Sequence, residues 1–396
     1  MNTRWVQLSL MIACTVMLSN MQYGWTLFVN PMHNETHWPK AGIQLAFTIM
    51  VLVNTWLAPV QGMLVDRYGP RPVVLSGGIF GALSWFLDGR ASSLPTLYVA
   101  AVIGGLAVGC VFGTCMGTAL KWFPDRRGLA TGLIAAGFGL GAAFTASPLT
   151  AMIRNSGYRH AFLIFGLIQG GTVVVLSLLL CKPVVPAAWA AARTVRQRAG
   201  DFTPAQTIRK PVFWMIYVVY VMVAFGGMVI TAQLGPIAGD FAIALPVLTI
   251  AISIDNFANG ITRPLSGFIS DKIGRENAML LIFGCEGLAF LGMIAFGHNP
   301  TGFVIFAALI FLFWGEVFCI FPAICGDTFG VSHAAANNGL MYTAKGTSAL
   351  AVPVASLLFS ATGSWNTVLL ASAICSIAAG ILAKFVVAPM RKRLLA

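Results

Sequence analysis

Twelve apolar stretches, each near the roughly 20 residues that a helix needs to cross a bilayer, set the strongest limit on what this chain can fold into. They lie at 5–29, 41–65, 72–89, 94–119, 129–152, 160–181, 212–234, 246–270, 277–296, 302–324, 337–361 and 366–388, with proline, glycine or charge at the breaks. Only 9% of the 396 residues are charged and 58% are hydrophobic, whereas a water-soluble domain carries about 25% charged residues. A backbone in hydrocarbon satisfies its own hydrogen bonds only as a helix or a closed barrel. The expected fold class is therefore an all-α integral membrane protein of twelve transmembrane helices. The first run, from Trp5, is too long for a signal-peptide core and lacks a cleavage site, so it reads as the first span.

Lysine and arginine set the expected orientation. With the N-terminus in the cytoplasm, 17 of them fall in cytoplasmic segments and 4 on the opposite side. Both termini are expected to be cytoplasmic, in a multi-pass protein of a bacterial cytoplasmic membrane. The net charge of +12 is spread over short loops, not gathered on one face, so it is not a nucleic-acid signal. The eight cysteines show no metal spacing and read as small buried hydrophobes.

The longest hydrophilic stretch, Lys182 to Lys210, divides the spans six and six. The expected organisation is an N-terminal six-helix bundle over 1–181, a cytoplasmic linker over 182–210, and a C-terminal six-helix bundle over 211–396 with a short basic tail. An internal repeat supports this. Pro59, Gly62, Asp66, Arg67 and Gly69 of "PVQGMLVDRYGPR" match Pro264, Gly267, Asp271, Lys272 and Gly274 of "PLSGFISDKIGR" at a constant offset of 205. Parallel repeats of six helices are a transporter architecture. Asp66 and Asp271 stand at helix ends near Arg67, Arg71, Lys272 and Arg275, where charge-assisted contacts could lock and release a gate.

Those motifs carry a resemblance. "GMLVDRYGPR" and "GFISDKIGR" resemble the loop motifs of the major facilitator superfamily. "QYGWTLFVNP" (Gln22–Pro31), "KWFPDRRGLATG" (Lys121–Gly132) and "SDKIGR" (Ser270–Arg275) are similar, more narrowly, to the oxalate–formate antiporter family. The resemblance implies two pseudo-symmetric six-helix bundles that open alternately to either side of the membrane.

Two cations need separate explanation. Arg263 lies eight residues before Asp271 on span eight, and Lys345 lies eight residues into span eleven. At about 1.5 Å per residue both sit roughly 12 Å inside the membrane. Each costs about 2.5–3.5 kcal/mol to place there. Buried salt bridges with Asp255, Glu286 or Glu316 are one explanation. The other is an anion site, with arginine as a planar fork and lysine as a point charge. The resemblance favours the second, because an arginine on span eight and a lysine on span eleven bind substrate in that family. It also implies that Gln22, Tyr23, Phe112, Phe138, Trp314, Phe318 and Tyr342 line the site. This sequence departs from the family pattern in having phenylalanine at 112, 138 and 318 in place of tyrosine, and Tyr342 in place of tryptophan. It also has acids at 255 and 316, so Asp255 and Glu316 are candidate coupling residues whose protonation would leave the cations unmatched. Glu286, on an outer helix, is expected to be structural.

"HNETH", His33–His37, has zinc-like spacing but reads as an external loop with no third ligand, and no metal or cofactor is expected. No nucleotide loop and no nucleophile–base set appears, so the protein is not expected to be an enzyme and transport would be secondary. The expected function is exchange of small carboxylates, mono- or dicarboxylate, of the oxalate/formate type. The alternatives are a proton-coupled monocarboxylate symporter, which the acids favour, and an anion-binding membrane sensor. The expected partners are the anions, protons in the second reading, and lipid, with a monomer as the working unit.

Overall fold

The computed structural model describes residues 3–183, 201–349 and 351–395. All of its regular structure is helical. Eight stretches are long and apolar enough to cross a membrane: Pro70–Arg90, Leu94–Trp122, Arg127–Ser156, Tyr158–Ser177, Pro211–Asp240, Arg275–Phe296, Pro300–Phe329 and Trp365–Leu395. A ninth is formed by Gly42–Trp56 and Ala58–Tyr68, bent by 47°. Pro59 near the start of the second piece supplies no N–H, so a continuous helix would lack a hydrogen bond there.

The other three expected spans are helical but broken or charged. The first is split into Thr3–Tyr23 and Thr26–Thr36. The eighth is Leu245–Ile273, with Arg263 inside it. The eleventh is Ala334–Ser348 and Ala351–Thr362, with Lys345 in its first piece. These three spans hold Gln22, Tyr23, Arg263, Tyr342 and Lys345. Irregular backbone and charge survive at membrane depth only where protein or water surrounds them. Four of the five residues of His33–His37 are helical, not a loop: they end the helix Thr26–Thr36, His37 follows it at a φ of 56°, and Glu35 pairs with Arg159 Nε at 2.7 Å.

Contacts divide the chain into two compact units. One comprises Met1–Pro124, Leu133–Ala190 and Val331–Tyr342; the other comprises Asp125–Gly132, Ala191–Gly330 and Thr343–Ala396. Each unit is thus one half of the chain plus the opening turns of one helix from the other half. In the first unit, Phe28 stacks on Phe162 with centroids 3.9 Å apart and Trp85 packs edge-on against both. In the second, Phe321 stacks on Tyr220 at 4.2 Å and on Phe283 at 6.0 Å.

The repeat has a backbone explanation. Gly69 and Gly274 both adopt φ of 89°, ending Ala58–Tyr68 and Leu245–Ile273 respectively. A side chain is costly in that left-handed region. About two turns earlier, a Cβ on Gly62 would overlap the backbone of Ala335, and one on Gly267 would overlap the backbone of Gly128. Both glycines permit a helix start to approach within backbone contact.

Candidate functional site

The candidate substrate residues fall into two clusters, one in each unit. In the second unit Arg263 is 2% exposed and Lys345 is 4% exposed. One ring serves both: the Phe318 centroid is 4.6 Å from the guanidinium carbon of Arg263 and 5.3 Å from Lys345 Nζ. Cation–π attraction strengthens when the partners are desolvated. Arg263 is held by Asn259 one turn earlier, whose Oδ1 accepts from Nε at 3.1 Å and also from a terminal guanidinium nitrogen. Trp314 stands edge-on to Phe318 at 5.7 Å.

A break in span ten places the acid. Pro300–Trp314 and Val317–Phe329 are joined at Gly315 and Glu316. Glu316 therefore sits at the N-terminal, positive end of the second helix, where the dipole favours an anion. It is 1% exposed, hydrogen-bonds Ser266, and approaches Cys319 Sγ at 3.6 Å. Ser266 is three residues beyond Arg263 on the same helix, so acid and cation share one buried neighbourhood. Asp255 lies on the helix Leu245–Ile273, but its side chain is outside the described residues. Glu286 is fully buried on Arg275–Phe296, facing Ser376 of span twelve.

In the first unit the cluster is aromatic. Tyr23 meets Phe138 at 5.6 Å, Phe138 meets Phe112 at 4.8 Å, and Phe112 meets Tyr342 at 5.8 Å. Phe112 stands in a π-helical turn, Gly109–Gly113, which re-aims its side chain within span four. Gln22 is half-buried beside Tyr23, at the break of span one. The sequence-derived set is thus gathered in two parts, one with both cations around Phe318 and Trp314 and one of rings without a cation among the residues named.

The gate acids perform matching tasks. Asp66 Oδ1 accepts from Ala335 N at 3.3 Å and Oδ2 from Ala336 N at 2.9 Å, capping the helix Ala334–Ser348. Asp271 Oδ1 accepts from Gly128 N at 3.0 Å and Oδ2 from Leu129 N at 2.9 Å, capping Arg127–Ser156. Opening N–H groups have no partner inside their own helix, and a carboxylate there also meets the positive dipole end. Lys121 Nζ joins Asp66 at 2.8 Å, and Arg275 joins Asp271 at 2.6 Å. Arg67, Arg71 and Lys272 are exposed. Arg67 lies over Tyr68 and Lys272 over Phe268.

The structure adds residues that hydropathy and the repeat did not single out. Asp327 receives Arg127 at 2.6 Å and Arg275 at 2.8 Å, with all three side chains buried. An acid inside the apolar run 302–324 and its continuation was the available signal, since an uncompensated charge there is expensive. Tyr217 Oη lies 2.7 Å from Thr347 Oγ1 and 3.3 Å from Thr343 Oγ1, tying span seven to span eleven on either side of Lys345 in sequence. Nothing in either span marks those residues in advance.

Comparison with known proteins follows this geometry. The Major Facilitator Superfamily model matches residues 10–353 and, a second time, 219–395. The chain is 34% identical over 392 residues to the oxalate:formate antiporter of Oxalobacter formigenes, covering 98% of this chain and 93% of that one. It is 27% identical to the uncharacterized MFS-type transporter YhjX of Escherichia coli, over 87% of this chain and 85% of that one. Among solved structures it resembles the fucose:proton symporter of Escherichia coli, with a TM-score of 0.72 at 12% identity, covering 96% of this chain and 98% of that one. At that identity the likeness concerns the fold.

Proposed function

Because this chain belongs to the major facilitator superfamily of membrane transporters, we propose that it is a secondary active transporter that exchanges small carboxylate anions by alternating access, of the oxalate/formate type. The observation that carries this reading is the pair of buried cations, Arg263 and Lys345, on a single phenylalanine ring. The guanidinium offers a planar fork to a carboxylate, and Asn259 fixes its orientation. The ammonium offers a point charge to the same or a second carboxylate. Phe318 and Trp314 supply apolar walls that exclude water and strengthen both attractions. The 34% identity to an oxalate:formate antiporter supports the substrate class.

In this reading the halves 1–181 and 211–396, joined by the linker 182–210, give access to either side of the membrane in turn, with both termini in the cytoplasm as the lysine and arginine bias implies. The caps on Asp66 and Asp271 hold one state. Moving to the other exchanges these bonds for water, so the caps set the rate of conversion more than the affinity for substrate.

A second reading has a specific observation behind it. Glu316 is buried in the neighbourhood of Arg263. An ionised Glu316 competes with a substrate carboxylate for the arginine, and a protonated one does not. Proton and anion would then bind cooperatively, as linked equilibria require, giving proton-coupled monocarboxylate symport.

The deciding experiment uses purified protein in liposomes preloaded with oxalate, formate or other small carboxylates. Uptake of labelled anion that depends on an internal carboxylate supports exchange. Uptake into empty liposomes that rises with external acid supports symport. No carboxylate uptake under either condition overturns both.

A further inference from the structure

The first unit contains a small cavity that the proposed substrate site does not use. It lies behind the break in span one and is lined in part by Asn20, Trp25, Ser84 and Asp88. Its free space suits about one water molecule. The polar atoms around it are poorly served by the protein. Asn20 Nδ2, Trp25 Nε1 and Asp88 Oδ1 are all buried and make no hydrogen bond. The residues carrying them are 0%, 6% and 4% exposed. Three orphaned groups on one small cavity are costly, since each forfeits its hydration for nothing in return.

From this geometry we infer that the cavity is a binding site for one ordered water, held by Asn20, Trp25, Asp88 and Ser84. The donor and acceptor inventory matches water and excludes the simple alternatives. In the structure Asn20 Oδ1 accepts from Thr145 Oγ1 at 2.8 Å, which leaves the Nδ2 end without a partner. Its Nδ2 must therefore donate, as must the Trp25 indole N–H. Ser84 Oγ gives its proton to Ala100 O at 2.8 Å, which leaves it able to accept. Asp88 Oδ1 is a second acceptor. Two donors and two acceptors are the complement of a single water, which accepts twice and donates twice. A bare cation would face two N–H groups. A small anion would face the carboxylate and the serine lone pairs.

The site has a structural consequence. Gly24 and Trp25 separate Thr3–Tyr23 from Thr26–Thr36, and Asn20, in the last turn of the first, accepts from Gly24 N at 2.9 Å through its carbonyl. The water would tie both sides of the break to Asp88 and Ser84 on Pro70–Arg90. It would thereby hold the turn that presents Gln22 and Tyr23. Discontinuous membrane helices recover lost backbone and side-chain bonds in this way.

The test is an experimental map of the full-length protein in lipid nanodiscs, at a resolution that shows ordered water. It is paired with millisecond radiolytic footprinting, in which radicals born from bound water oxidise adjacent methionines. Density within hydrogen-bond reach of Trp25 Nε1 and Asp88 Oδ1 is expected, with oxidation of Met21 and Met50, which line the cavity, well above that of Met11 and Met116. The latter pair is equally buried but lies away from it. Asp88→Asn keeps an acceptor and should keep the labelling. Trp25→Phe and Asp88→Leu should lower it to the level of Met116. An empty or collapsed cavity, a direct bond from Trp25 to Asp88, or wild-type labelling no higher than Met116 would overturn the inference. The wild-type measurements stand whether or not the leucine variant folds.

Discussion

Asp66 and Asp271 hold equivalent places in the two repeats and cap a helix start with the same two-oxygen grip, yet their surroundings differ. Asp66 is supported by Lys121, whose side chain is 20% exposed. Asp271 is supported by Arg275, which continues to Asp327 and thence to Arg127, all of them 8% exposed or less. The same divergence appears in the substrate clusters. The first unit contributes rings, and the second contributes Arg263, Lys345 and Glu316. Of the two equivalent caps, the one in the second unit is backed by the larger network of buried charge. A surface pair is worth little, whereas breaking a buried one is expensive. The second unit is therefore where substitutions should be felt most.

The largest effect is expected at the cations. Arg263→Gln and Lys345→Gln should each abolish measurable carboxylate uptake while the protein remains inserted. Removing one partner of a buried charge-assisted contact costs about 2–5 kcal/mol, which is roughly tens-fold to thousands-fold in affinity. Arg263→Lys should fail as well, because an ammonium lacks the fork. Wild-type uptake by either glutamine variant in liposomes would move the anion site elsewhere.

The two gates give the next contrast. Asp327→Ala strands Arg127 and Arg275 and should cost about 3–5 kcal/mol in stability. Asp66→Ala loses a helix cap and a partly exposed pair, about 0.5–2 kcal/mol. Thermal unfolding in detergent should therefore rank Asp327→Ala well below Asp66→Ala, and the reverse order would erase the asymmetry. In transport, Asp66→Asn and Asp271→Asn should slow turnover more than they weaken binding. Lowered affinity at unchanged rate would put these acids in the wrong role.

Glu316 sharpens the comparison through pH. Protonation frees Arg263 for an anion, so in the symport reading uptake rises as external pH falls, and Glu316→Gln flattens that profile at the higher plateau. A profile flat in the wild type, together with a strict need for internal carboxylate, leaves exchange as the mechanism.

The smallest effects belong to the aromatic unit. Phe112→Tyr or Phe138→Tyr adds a hydroxyl able to donate to a carboxylate, worth about 0.5–1.5 kcal/mol net. A shift of up to about tenfold toward dicarboxylates in competition assays is expected. A loss as complete as that of Arg263→Gln would show that the rings, too, carry the site.

Much of this protein is written in one dimension. Hydropathy runs mark the spans because the bilayer fixes how long an apolar helix must be. The offset of 205 aligns the repeats, and the repeat's glycines prove to be a left-handed turn and a backbone contact. The depth of Arg263 and Lys345 follows from counting residues along a helix, and the resemblance supplied their ring-lined surroundings. What packing alone decided are the pairings across long separations. Phe318 serves both cations, Asp66 reaches residues 269 and 270 positions away, and Arg127 finds Asp327 at a separation of 200. The breaks in spans one, ten and eleven were also hidden, because a turn that lies within protein keeps the same apolar composition as the helix it interrupts. Hydropathy measures the free energy of leaving water, which is nearly the same for both. Which buried polar group meets which is settled by geometry, since an unmet one costs more than any local preference for a different fold.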